Sequence, residues 1–93
     1  ASSPIPGKFV LYQNYPNPFN PITTIQFSVE TQSIASLQIF DITGRLVETL
    51  VNENLGPGYH EIKWNASNVS SGVYIYKLIT DAGQLTKKMI LLK

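Results

Sequence analysis

The chain has 93 residues, 43% of them apolar and 14% charged, which suits one domain with a real core and excludes a disordered tail. Seven Lys and Arg against six Asp and Glu leave a formal charge of +1, which gives no electrostatic reason to expect nucleic acid or an anionic membrane as partner. Cysteine is absent, so disulfides, thiolate metal sites and cysteine nucleophiles are ruled out.

No apolar run approaches the roughly 20 residues needed to span a bilayer, and no basic-then-apolar leader opens the sequence. The start at Ala1 rather than Met suggests a piece of a longer polypeptide. Residues 1–8 hold two Pro, a Gly and two Ser without periodicity and predict the end of a linker, leaving 9–93 as the domain. Seven strands are then expected. Phe9–Gln13 is the first. Thr24–Val29 alternates with Ile25, Phe27 and Val29 on one side. In the third, Ala35, Leu37 and Ile39 alternate with Ser36, Gln38 and Phe40. Asp41-Ile42-Thr43-Gly44 suits a type I turn with Gly taking positive φ. The fourth run, Arg45–Val51, forms a hairpin with the third. It overlaps Leu46–Leu55, where Leu46, Val47, Leu50 and Val51 would equally make a helical stripe. Tyr59–Asn65 places His60, Ile62 and Trp64 on one face. Val73–Thr80 alternates Tyr74, Tyr76 and Leu78 with Val73, Ile75, Lys77 and Ile79. Asp81-Ala82-Gly83 turns the chain into Leu85–Leu92. Short strands at close spacing with no helix between them predict an all-β, immunoglobulin-like antiparallel sandwich, with an open barrel as the alternative.

The last two strands are apolar on both sides apart from Lys77, Lys87 and Lys88. They are expected either to lie centrally or to offer one face to another molecule. Reactive chemistry is hard to assemble. His60 shares a face with Ile62 and Trp64 and is expected to be partly buried and hydrogen-bonded; no Gly-x-Ser-x-Gly elbow accompanies it. The six acids scatter over turns and polar faces, with no paired carboxylates, no calcium-type loop and no His pair. No cofactor is expected: Gly56-Pro57-Gly58 lacks the Lys and helix of a phosphate loop. The sequons at Asn65 and Asn68 read as turn residues. Phe27 and Trp64 are expected in the core, Phe40 and Tyr59 at the surface. Two such rings without a polar cluster leave carbohydrate weakly supported as a partner.

Tyr15-Pro16-Asn17-Pro18-Phe19-Asn20-Pro21 is the densest feature. Its prolines fix φ and bias their predecessors away from helix; Asn17 and Asn20 are expected to form local Asx-type turns. Tyr15 and Phe19 are expected to bury their rings and pin a rigid corner between the first two strands.

This segment, with Thr23–Phe27, resembles the opening of the type A C-terminal sorting domain of the type IX (Por) secretion system. The likeness continues through Ile39–Arg45, with its Asp41, Gly44 and Arg45, through Gly58–Trp64 and Ser71–Leu78, and ends in Lys87–Lys93. The later strands are also similar to the immunoglobulin-like domain of the flagellar hook-capping protein. The resemblance implies a seven-stranded sandwich that follows a secreted or cell-surface cargo and is recognised by outer-membrane sorting machinery. Removal by a surface peptidase, in or just before the linker ending at Lys8, is implied as well. It also places the recognition determinants in Gly72, Val73 and Tyr74 and in Lys88, Met89, Ile90, Leu91, Leu92 and Lys93. The alternative reading is an accessory module of a secreted hydrolase, binding carbohydrate or spacing and stabilising its neighbour.

Overall fold

The period-two alternation becomes seven strands in the computed structural model, which describes residues 9–93; the linker expected over 1–8 lies outside the described residues. They are β1 (Phe9–Leu11), β2 (Ile22–Val29), β3 (Ser33–Asp41), β4 (Leu46–Leu55), β5 (Gly58–Asn65), β6 (Gly72–Thr80) and β7 (Gly83–Leu91). Every pairing between them is antiparallel. One sheet runs β1-β2-β5 and the other β4-β3-β6-β7. In a constant-type immunoglobulin sandwich the fourth strand shares a sheet with the fifth. Here β4 lies beside β3 instead, so the sandwich divides three strands against four.

The inward sets are those read from the sequence. Ile25, Phe27 and Val29 of β2 face Ala35, Leu37 and Ile39 of β3, Tyr76 and Leu78 of β6, and Met89 and Leu91 of β7, all at most 4% exposed. Full burial of one such large side chain contributes about 1.5–3 kcal/mol. Between β3 and β4 the Asp41 turn forms as expected. Gly44 has φ 89°, its N–H donates to the Asp41 carbonyl at 3.0 Å, and Arg45 Nε sits 3.2 Å from the Asp41 carboxylate. This is the turn-plus-bulge geometry of a three-residue hairpin loop.

The helical stripe in Leu46–Leu55 has a different cause. The β3–β4 register slips twice: Gln38 pairs Thr49 while Leu37 pairs Val51, and Phe40 pairs Leu46 while Ile39 pairs Glu48. Leu50 and Val47 are the extra residues. The two bulges let Val47, Leu50, Val51 and Leu55 all pack on the core from one strand. The segment is a strand, and a longer one than Arg45–Val51.

Candidate recognition end of the sandwich

The proline corner is held by a residue that the sequence did not single out. Asn14 is buried; its side-chain amide donates to Thr23 Oγ1 at 2.9 Å and to the Pro16 carbonyl at 3.2 Å. Thr23, also buried, donates its hydroxyl to the same carbonyl at 2.9 Å. Asn14 N–H donates to the Tyr76 hydroxyl at 2.8 Å, and that hydroxyl donates onward to the Tyr12 carbonyl at 2.7 Å. Burial pushes the Tyr76 phenol up to about 12, against the opposing pull of the Asn14 N–H. An Asn beside a proline run reads as a turn residue, so only the folded partners distinguish this one.

Phe19 buries its ring as expected, 2% exposed, whereas Tyr15 does not: it is 78% exposed. Tyr15 pairs through its backbone with Thr24, which turns its ring outward. Phe19 packs at 5.8 Å from the Trp64 ring, and Trp64 meets Tyr74 edge-on at 5.7 Å. Trp64 Nε1 donates to Glu48 at 3.1 Å and the Tyr74 hydroxyl donates to the Ser70 carbonyl at 2.6 Å. One aromatic run therefore joins the corner, β5 and the Gly72–Tyr74 block. Pro21 adds a tie by accepting the Ala66 N–H at 2.9 Å.

The corner also reaches β7, a contact the sequence did not suggest. Phe19 makes a parallel bridge with Leu91: its N–H donates to the Ile90 carbonyl, and its carbonyl accepts the Leu92 N–H, both at 3.0 Å. Asn17 bonds across space instead of locally, accepting the Ile90 N–H at 2.9 Å. Gln13 donates to the Lys88 carbonyl at 2.7 Å. β7 is the edge strand of its sheet, and its outward backbone groups beside the expected determinants are already engaged. Pro16, Pro18 and Asn20 form the exposed rim of this strap.

The expected determinants divide by pleat parity. Tyr74, Met89 and Leu91 are core. Lys88, Ile90, Leu92 and Lys93 are exposed, Gly72 is exposed and Val73 half-buried. Gly72 adopts φ 153°, in the region that favours glycine, with nothing within 4 Å of a would-be Cβ; backbone conformation rather than space requires the glycine. Lys93 donates from Nζ to the Ser67 carbonyl at 2.8 Å and from its N–H to Ser71 Oγ at 3.0 Å, docking the end of the strand on the loop before β6.

Among the described residues, the polar and titratable groups nearby are taken up in structural bonds. An open depression of about 350 Å³ is lined by Asp41, Arg45, Val47, Val69 and Tyr74, and its two charged groups bond each other. The Thr43 hydroxyl, then the Arg45 N–H, hold the Asp41 carboxyl below its ordinary value. His60 is half-buried as expected, bonded to the Gly56 carbonyl at 2.9 Å and stacked on Phe27. Among the described residues no three His, Asp or Glu side chains converge as a metal site. Tyr59 is exposed beside Tyr12, while Phe40 is half-covered under Lys77 on the other sheet, so they form no common sugar platform.

The family model for the secretion system C-terminal sorting domain matches residues 13–92. No curated protein matches the chain. Among solved structures it is similar to dimeric latent PorU from Porphyromonas gingivalis, with TM-score 0.75 and 23% identity over 99% of this chain and 10% of that one. It is also similar to PorZ of the same organism, described as an essential bacterial surface component of the type-IX secretion system. That match has TM-score 0.65 and 27% identity over 89% of this chain and 11% of PorZ. The chain thus spans about a tenth of the length of these structures.

Proposed function

The chain belongs to the family of secretion system C-terminal sorting domains, which makes it a sorting signal for type IX secretion, and we propose that the signal is read by docking, with no bond made or broken. The reader is sorting machinery at the outer membrane, and the passenger is a cargo domain preceding residue 9 in the same polypeptide. A destination outside the cell or on its surface follows from membership of the family. Cleavage in or before residues 1–8 would release the cargo from its address.

The observation that carries this reading is the alternation along β7. Met89 and Leu91 are fully buried while Ile90 and Leu92 are 40% and 56% exposed. The same short stretch therefore builds the core and presents an outward apolar face. Such a signal exists only when the sandwich is folded, as a shape and not as a free peptide. The corner adds to this by taking up the backbone of Ile90 and Leu92, which leaves side chains for a partner to read. The 93-residue chain fused to a periplasmic reporter, in a host with this secretion system, should carry the reporter to the surface or medium. A stable fusion left in the periplasm would overturn the reading.

A further inference from the structure

The outward face of the four-stranded sheet has an order of its own. Register places Leu46, Phe40, Ile75 and Lys88 in one row across β4, β3, β6 and β7, with Val73 and Ile90 side by side in the next. Toward the other end polar residues predominate: Thr49, Gln38, Lys77 and Thr86, then Asn52, Ser36 and Gln84 around Ile79, with Ile34 exposed beyond them. On the opposite sheet the central strand turns Thr24, Gln26 and Ser28 outward, flanked by exposed Val10, Tyr12 and Tyr59 and by charges of both signs, Glu61 and Lys63. One end of the four-stranded sheet thus gathers an outward apolar cluster that includes Leu46 at 50% and Ile90 at 40% exposure.

Charge on this face has one sign. Lys88 is exposed, and Lys77 lies over the Phe40 ring at 5.1 Å from its centroid. None of the six acids shares the face. Asp41 and Asp81 occupy turns, Glu30 follows β2, and Glu48 bonds Trp64. Glu53 lines a crevice with Phe27 and His60, and Glu61 bonds Gln26 of the other sheet. We propose that this face, centred on Phe40, Ile75 and Ile90, docks a protein surface with an apolar centre and a carboxylate rim. The proposal rests on the sorting reading and names the chemistry of the reader; the apolar rows supply contact and Lys77 and Lys88 set register and encounter rate. A lipid surface fits less well, since lipid recognition by charge uses clusters of about four to eight cations, and two stand here.

The test uses the 93-residue chain fused to a periplasmic reporter in a host with this secretion system. Ile75→Glu and the pair Lys77→Glu with Lys88→Glu should each lower the exported fraction about tenfold. Lys77→Arg with Lys88→Arg should export normally, as should the control pair Tyr59→Glu with Lys63→Glu on the other sheet. Thermal unfolding of each fusion accompanies the assay, and the lysine pair guards against misfolding because neither residue is core. Normal export of Ile75→Glu and of the lysine reversal would overturn the face while leaving the sorting reading intact. Equal loss in the control pair would overturn it too. Sedimentation showing a dimer that Ile75→Glu dissolves, or binding to phosphatidylglycerol vesicles that the lysine reversal abolishes, would reassign the face to a second copy or to lipid. Failure of the unaltered fusion to export would remove the sorting reading itself.

Discussion

Tyr76 concentrates several obligations in one hydroxyl. It accepts the Asn14 N–H and donates to the Tyr12 carbonyl from a ring that is 0% exposed. Tyr76→Phe keeps the ring but orphans a buried N–H, and unfolding in denaturant should show a loss of about 1–3 kcal/mol. The same residue ties stability to alkaline pH. Its phenol ionises near 10.0 when unfolded and near about 12 when folded, so between these values the unfolded chain holds fewer protons. The stabilisation is complete below pH 10 and is lost as pH rises through the folded value. Denaturation midpoints should fall across that window, and Tyr76→Phe should flatten the fall. An unchanged slope in the variant would contradict the assignment. Alternation made the burial of Tyr76 legible, but not its partners. Asn14 and Thr23 are polar residues beside a proline run, and their burial depends on a carbonyl and a hydroxyl that only the folded corner brings within reach.

Among the elements, β7 and the corner depend on each other. Phe19 fills space against Trp64 while its backbone closes the edge at Ile90 and Leu92. Phe19→Ala should cost about 3–5 kcal/mol. Asn17→Ala removes a single acceptor, so its cost should be about 0.5–1.5 kcal/mol, with a local signature: faster amide exchange at Ile90 and not at Met89. Strand positions were readable wherever one face was consistently apolar, as in β2, β3 and β6. In β4 the bulges at Val47 and Leu50 broke the period of two and imitated a helical stripe. The covered edge was not readable at all, because a parallel bridge between Phe19 and Leu91 leaves no periodic trace across 72 positions. Tyr15 was misread for a related reason. An aromatic residue in a rigid corner has reason to pack, but its pairing with Thr24 points the ring outward.

On the scale of the molecule, the proposed recognition face and the core share one strand and separate by parity. Met89→Ala or Leu91→Ala should cost about 2–5 kcal/mol through the cavity left behind. Removing Met89–Lys93 outright should therefore unfold the sandwich as well as delete the proposed signal, and cannot tell one effect from the other. Substitutions confined to the outward positions can. The measurement that bears most directly on a folded address is the exported fraction of the reporter fusion carrying Ile90→Ser and Leu92→Ser, taken together with its thermal unfolding midpoint. Export should fall about tenfold while the midpoint stays within a few degrees of the unaltered fusion. Undiminished export from that folded variant would mean that the outward face of β7 is not what the secretion machinery reads.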